Sequence, residues 1–343
     1  KYPDSFTCLD ERVHADRRKL VNNLYSMSSI LRAEDRMGEC IDLFMLRMDE
    51  FAASGEIVDL ATWVQMYAFD VVGQLFFSRM FGFMQDKTDY GGYIKSLDLL
   101  LPILTASCVL PTYIRPFFLY GGALVPRIFK ALGCLTDIEK AADRCIADEQ
   151  EVRKSGEKTE RNDVLESLFN IVRDKGEMAD FGMTEVKVEV YVALFAGSDT
   201  TAAAMCSILY HLMKSPRVYR RLVEEIDQAN ICGKLGSENV LYNEAVSLPY
   251  LDACCKEGMR LHPSVGLTLP RNVPPGGCEI LGVRFEEGTR VGVNAAVIQR
   301  DTSIFGVDAE EFNPERWFRE DAAKMDRFMF QFGGGSRTCI GKN

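Results

Sequence analysis

Apolar residues recur at helical spacing through the first two-thirds of the chain. Residues 12–31 form an amphipathic stretch with a basic patch of His14, Arg17, Arg18 and Lys19, and 37–53 and 58–76 continue the same period. Residues 81–126 are rich in Gly, Pro and aromatics, which predicts loops between helices. Within them, 99–110 is the nearest thing to a membrane span. Pro102 and Pro111 bracket its core, and it falls short of the roughly 18–20 residues a spanning helix needs, so it reads as a buried or interfacial loop region. The charge run 151–162 reads as a solvated linker.

The proline-free stretch 185–214 predicts a helix of roughly 45 Å, with Thr184 able to cap its start and Pro216 opening the next helix. It is apolar almost all round from Val190 onward, which predicts a path through the middle of the protein. Yet Gly197, Ser198, Asp199, Thr200 and Thr201 follow one another inside it. Five weak helix formers in a buried helix are a local conflict of the kind functional sites show. Helices are expected over 216–229 and 243–261, the latter ended by Pro263. From 264 to 297, Gly and Pro punctuate short β-prone runs such as 289–293. The fold class is mainly α with a small β region, and no internal repeat is present.

Composition narrows the class. With 47 % hydrophobic and 26 % charged residues in 343, the chain is ordinary globular material, not a disordered segment. A net charge of -10 argues against a general nucleic-acid binder. The 11 cysteines are scattered, with only Cys254 and Cys255 adjacent and no C-x-x-C pair. That argues against a secreted disulfide framework and a Cys-rich zinc module, and favours reduced, cytosol-facing thiols. The chain opens on Lys1-Tyr2-Pro3 and stops at Gly341-Lys342-Asn343. Both ends read as cut, so any anchor or address lies outside these residues.

Near the end, three glycines precede a cysteine, with an arginine two residues before it. That suits a thiolate on a metal, with a cation for an anionic group of the same ligand. Phe332, Gly335, Arg337, Cys339 and Gly341 fill all five fixed positions of Phe-x-x-Gly-x-Arg-x-Cys-x-Gly, and the loop resembles the haem-binding loop of cytochrome P450s. A phosphate-binding glycine loop is the competing reading, but Gly341-Lys342 is followed by Asn343 instead of Ser or Thr. Three further elements of the family pattern occur in order: Ala196-Gly197-Ser198-Asp199-Thr200-Thr201, Glu257-x-x-Arg260, and Pro314-Glu315-Arg316-Trp317. Glu-x-x-Arg alone carries nothing, since roughly one match arises by chance in such a chain. Order and spacing together carry the resemblance, which is nearest to fungal microsomal, pisatin-demethylase-like P450s.

The resemblance implies an incomplete cytochrome P450 fold over 1–343 as a single domain, and specific roles. Cys339 would be the thiolate ligand of haem b (iron-protoporphyrin IX), favouring O–O cleavage. Arg337 would pair a haem propionate. His14 and Arg18, four apart on one helix face, match the family's aromatic-x-x-x-Arg propionate pair with His in the aromatic's place, against a plain solvated basic face. Arg271 is a third propionate candidate or a surface strand charge. Glu257, Arg260 and Arg316 would form a buried structural network. Thr200 would break the helix ladder locally and hold dioxygen and a water, with Asp199 relaying protons; a functionless kink is the bland alternative. Val192, Ala193, Ala196 and Thr200 share a helix face and would roof the haem, unless the alanines merely ease helix packing. Val265, Gly266 and Leu267 match the family's substrate-lining segment. His262 reads as a helix-end cap and His211 as a core residue.

The implied activity is insertion of one O2-derived oxygen atom into a lipophilic small molecule, as in fungal secondary metabolism, with electrons from an NADPH-cytochrome P450 reductase. The implied location is the cytosolic face of the endoplasmic reticulum membrane, through an N-terminal anchor that 1–343 lacks. Also absent are the first β strands, the helix after Cys339 and the terminal hairpin, so 1–343 alone is expected to hold haem weakly. A P450-fold isomerase or dehydratase, a non-catalytic haem-binding protein, and a haem-free thiol enzyme using Cys339 stay open as alternatives. Gly258 inside Glu-x-x-Arg is an unusual helix residue.

Overall fold

Side-chain caps and prolines set where the helices begin. Asp10, Asp59 and Asp163 each accept from backbone N–H groups of the first turn that follows. Pro126, Pro216 and Pro249 are first residues of helices, where the missing N–H costs nothing. The computed structural model describes residues 4–155, 163–236 and 239–343. They fall into two units, residues 1–199 with Asn343, and residues 200–342.

The first unit is helical. It holds α1 (Glu11–Val21), α2 (Met27–Leu31), α3 (Glu34–Ser54), α4 (Leu60–Phe77), α5 (Tyr93–Val109), α6 (Arg115–Ala123), α7 (Pro126–Ser155), α8 (Val164–Ala179) and the part of α9 (Met183–Lys214) up to Asp199. Its core joins Cys40 of α3, Trp63, Met66 and Phe69 of α4, Phe83 and Met84 of the following loop, and Tyr93, Ile94 and Leu97 of α5. Phe69 stacks on Phe83 and meets Tyr93 edge-on, each with centroids 5.0 Å apart.

The second unit takes the rest of α9, then α10 (Pro216–Ile231), α11 (Tyr242–Ala245) and α12 (Pro249–Leu261). Two antiparallel ribbons follow. β1 (Thr268–Asn272) pairs with β4 (Arg290–Asn294), with Arg271 opposite Val291, and β2 (Cys278–Ile280) pairs with β3 (Val283–Phe285). Short helices α13 (Ala295–Ile298), α14 (Thr302–Phe305) and α15 (Ala322–Asp326) lead to the glycine-rich end. Leu212, Val218, Leu222, Tyr250 and Cys254 form one core of this unit, tying α9 to α10 and α12.

Mainly α with small β-sheets is therefore the observed class, and several boundaries need correcting. Residues 12–31 are not one helix, because Asn22–Tyr25 form a 3-10 turn and Ser26 caps α2 anew. The predicted loops of 81–126 are largely α5 and α6. Pro102 sits inside α5 and cannot donate to the carbonyl of Asp98, while Pro116 lies in the first turn of α6, where it is tolerated. Residues 99–109 are accordingly helix, not loop, and Leu110 caps it. The predicted 243–261 helix is two, since Pro249 starts α12. Of the linker 151–162, residues 151–155 continue α7 and 156–162 lie outside the described residues. Thr184 is the second residue of α9 and not its cap.

α9 is long and apolar enough to cross a membrane by length and composition alone. It is not buried all round, as its pattern predicts. In the first unit Val186, Val190, Leu194 and Ser198 form one buried stripe, while Val192, Ala193 and Ala196 stay half-buried. Buried Glu189 accepts the Ser5 N–H and hydroxyl at 2.7 Å each.

Gly258 has a packing cause. A Cβ there would come within 2.6 Å of Ile208 Cγ1 and 2.9 Å of the Ile208 backbone. Ser207 Oγ donates to the Gly258 carbonyl at 2.9 Å across the same crossing. Close approach of α9 and α12 thus needs the smallest residue. Gly258→Ala is expected to destabilise the protein by about 1–3 kcal/mol through overpacking. The roughly 1 kcal/mol of helix propensity that Ala brings does not rescue it. Urea unfolding of the two proteins measures the difference.

Candidate functional site

The second unit is organised around one carboxylate. Glu257 of α12 is 0 % exposed, as are Arg260 and Arg316. Arg260 donates from Nε to Oε2 and from a terminal nitrogen to Oε1, both at 2.9 Å, in a bidentate fork. Arg316 Nε donates to Oε1 at 2.8 Å. The Asn313 N–H and Trp317 Nε1–H complete the shell, each at 3.0 Å. The second positive charge meets the Asp308 carboxylate at 3.3 Å and is spread over carbonyls. Arg260 also donates to Gln299, Ala309 and Glu311, and Arg316 to Phe305, Asp308 and Glu311. Every face of the two guanidiniums is therefore used, the condition under which buried charge is tolerated. Burial favours the neutral form of Asp308, but the Asn313 amide and the Arg316 and Arg319 guanidiniums outweigh it and hold its carboxyl down at about 2.

This cluster reaches the cysteine loop through Gln299. That buried carboxamide donates to the carbonyls of Met259 (3.1 Å) and Arg260 (2.9 Å) and accepts the Phe330 N–H at 2.7 Å. From Phe330 the chain turns. Gly333 N–H donates back to the Phe330 carbonyl at 2.9 Å, and Cys339 N–H returns to the Phe332 carbonyl at 2.8 Å. Gly333 (φ +69°) and Gly335 (φ +70°) occupy the left-handed region that other residues avoid. The loop leaves the Cys339 thiol exposed and Arg337 half-buried. A Cβ on Gly333 would lie 3.4 Å from Leu269 of β1, so strand and loop are in contact. Arg271, two residues on and thus on the same strand face as Leu269, is exposed.

Residues 197–201 do not break α9, which is helical throughout. That corrects the expected disruption of its ladder, because Gly197, Ser198, Asp199 and Thr200 each have an anchor or a packing role. A Cβ on Gly197 would meet Val72 of α4 at 3.4 Å. Ser198 Oγ bonds the Leu194 carbonyl at 2.9 Å, and Asp199 Oδ1 accepts from Gln65 Nε2 at 3.1 Å. The Thr200 carbonyl accepts from Ser264 Oγ at 2.7 Å. Ser264 thereby ties Thr200 to the segment Val265, Gly266 and Leu267, of which Val265 is exposed and the other two half-buried. Asp199 is half-buried. Burial first and then the Asp98 charge raise its proton affinity, with the Gln65 bond opposing.

In the first unit, His14 is buried and Arg18 half-buried one turn along α1. His14 Nδ1 lies 3.9 Å from Glu11. The basic patch is not a solvated face, since Arg17 is also buried. Arg17 donates to the Ala179 carbonyl at 3.2 Å and lies over the Phe181 ring. His262 is the C-cap residue of α12, and His211 stacks on Phe312 at 5.0 Å.

Among the described residues, no three His, Cys, Asp or Glu side chains converge to hold a metal ion. The protein side of Cys339 therefore offers one soft ligand on an open, glycine-walled loop, a donor set that fits a metal arriving with its equatorial ligands in a planar organic group.

Compared with known proteins, residues 5–343 match the family model described as Cytochrome P450. The cytochrome P450 monooxygenase gsfF of Penicillium aethiopicum is 41 % identical over 100 % of this chain and 68 % of the relative. The cytochrome P450 monooxygenase ACRTS1 of Alternaria alternata is 38 % identical over 95 % of this chain and 86 % of the relative. A pisatin demethylase of Fusarium vanettenii is 33 % identical over 99 % of this chain and 65 % of the relative.

Two outcomes are expected of the Glu257 cluster. Arg316→Ala leaves the carboxylate half-paired, and unfolding by urea should show a loss of about 3–5 kcal/mol. Acid acts through Asp308, whose carboxyl is depressed from 3.8 to about 2. Its stabilising contribution is complete above about pH 4 and is lost as pH falls toward 2. Asp308→Asn should flatten the stability profile in that window, as followed by Trp fluorescence.

Proposed function

The chain belongs to the cytochrome P450 family, and from that premise we propose that it is a haem-thiolate monooxygenase that oxygenates a lipophilic small molecule. The observation that carries the reading is Cys339, an exposed thiol on a glycine loop fastened through Gln299 to the buried Glu257 cluster. Haem b, when bound, supplies the O2 chemistry that no side chain provides. Everything else falls to the chain. Cys339 as thiolate would hold the haem iron, with Phe332, Gly335 and Gly341 shaping its loop. Arg337 and Arg271 supply charge for the propionates. For His14 and Arg18 the family resemblance carries the same role. Glu257, Arg260 and Arg316 hold the loop and stay out of the chemistry.

Asp199 accepts and hands on a proton, and Thr200 positions a water on the half-buried face of α9. Its raised proton affinity supports that role for Asp199. Val192, Ala193 and Ala196 on that face give an apolar lining suited to a lipophilic substrate, and the family resemblance carries the same role for Val265, Gly266 and Leu267. Electrons come from NADPH through a cytochrome P450 reductase. The family match runs through both units, which supports reading 1–343 as part of one catalytic domain. Attachment to the cytosolic face of the endoplasmic reticulum is supported by an apolar surface around α6, where Phe117 is 77 %, Tyr120 75 % and Leu124 84 % exposed.

The test is the carbon monoxide difference spectrum of the reduced holoenzyme, expressed as the full-length protein. The long-wavelength Soret band of a thiolate-ligated haem is expected, and Cys339→Ala should abolish it. A short-wavelength band in the unmutated protein overturns the ligand assignment. With reductase, NADPH and a panel of lipophilic compounds, Asp199→Asn should lower product formation by about 10²-fold or more. Thr200→Ala should keep consuming NADPH while product gives way to hydrogen peroxide.

A further inference from the structure

In the first unit, α4, α5 and α9 bring together polar groups that the haem-loop pattern does not name. One nitrogen, Gln65 Nε2, donates to Asp199 Oδ1 at 3.1 Å and to Asp98 Oδ1 at 3.3 Å. A carboxamide nitrogen has two hydrogens, and both are used here. Asp98 is exposed on α5, whereas Asp199 is half-buried on α9. Two carboxylate oxygens at 3.1 and 3.3 Å from one nitrogen are no more than 6.4 Å apart, a span that one or two waters cover. The hydroxyl of Tyr93, in the first turn of α5, is buried and has no hydrogen-bond partner among the described residues. It lies within electrostatic range of Asp199 and Tyr191. A buried hydroxyl without such a partner, in range of Asp199, is a donor available to water there.

Chemistry distinguishes this arrangement from a structural ion pair. Where the fold needs a fixed anion it supplies guanidiniums, as Arg316 and Arg319 do for Asp308. Asp199 receives a neutral amide and a second carboxylate. Burial and the Asp98 charge favour its protonated form and Gln65 the ionised one, so the proton stays exchangeable.

We propose that Gln65 is a positioning residue that holds Asp199 beside Asp98, and that the two carboxylates form a route for protons from the exposed side of α5 to Asp199. The use made of the proton rests on the monooxygenase reading. A proton from bulk water adds to Asp98 and crosses bridging water to Asp199, returning Asp98 to the carboxylate. Asp199 gives its proton onward and is again ready to accept. No electron moves, and Gln65 keeps both its hydrogens throughout.

The test is an infrared pH titration of the full-length holoenzyme, with the Asp199 carboxyl band assigned by its loss in Asp199→Asn. Asp98→Asn removes the like charge and should shift the titration of that band to lower pH. Gln65→Leu removes the stabilising donor and should shift it to higher pH. Each shift should be about half a unit to one unit. The pH profile of product formation should move in the same direction in each variant, with a larger solvent deuterium isotope effect in both. Tyr93→Phe should enlarge the isotope effect while leaving thermal unfolding near that of the parent. Unshifted bands in both Asp98→Asn and Gln65→Leu overturn the proposal, as do shifted bands with an unchanged pH profile. A parent protein without turnover overturns the monooxygenase reading, and the band titration then still decides whether Gln65 and Asp98 govern Asp199.

Discussion

A single buried carboxylate, Glu257, sets the arrangement of the second unit. Two guanidiniums at 0 % exposure share the Glu257 carboxylate, and Arg316 also meets the Asp308 carboxylate at 3.3 Å. Such a cluster persists only where its remaining donors are satisfied, and here the carbonyls that do so come from separate stretches of chain at Gln299, Phe305, Asp308, Ala309 and Glu311. Those stretches have little regular structure of their own. Their path is dictated by where the arginine forks point, so the ionic cluster acts as a template for coil. Gln299 extends the template by one step, to Phe330 at the mouth of the cysteine loop. Cys339 thus takes its position from hydrogen bonds that begin at α12, although it lies on a loop with two left-handed glycines.

The distribution of charge separates two kinds of acid in this protein. Glu315 illustrates the fixed kind. Burial works against its ionised form, but Arg217 and the Tyr250 hydroxyl help hold its carboxyl down at about 2. Arg221 joins them at 3.0 Å and lies over the Tyr250 ring, so the pair is embedded in packing. Asp308 is the same kind. Both stay ionised well below the usual carboxylate range, and what they do is geometric.

How much of this could be read from residues alone follows from the kind of signal each part leaves. The cysteine loop, Glu257 with Arg260, and Arg316 are groups of specified residues at fixed spacing, and such spacing survives in a linear reading. Ser264, Gln299 and Gln65 leave no such trace. Each is a single neutral residue whose partner lies 64, 39 and 134 positions away. A hydrogen bond of that range has no local periodicity. Helix boundaries were misjudged where proline was taken for punctuation. Pro102 is carried inside α5, while Pro116 and Pro249 lie in first turns, where a proline begins structure instead of ending it. The buried path expected for α9 failed for a related reason. Apolar character all round says that a helix can be buried on every side, whereas the neighbours decide which side is covered.

The stretch from Gly197 to Thr200 shows why a locally poor helix can still be continuous. Its residues cost helix propensity, yet Ser198 bonds its own helix, Asp199 is held by α4 through Gln65, and the Thr200 carbonyl takes an added donor from Ser264. The residues that weaken the helix are the ones that fasten it sideways. Sideways fastening fixes the rotation of α9 about its axis, and that rotation keeps Val192, Ala193 and Ala196 on the half-buried face. A helix of alanine and leucine over the same positions would be more helical and less oriented. The polar run therefore contributes orientation at the expense of propensity, and it leaves Asp199 between water and core, where a carboxyl can change its protonation state without dismantling the fold.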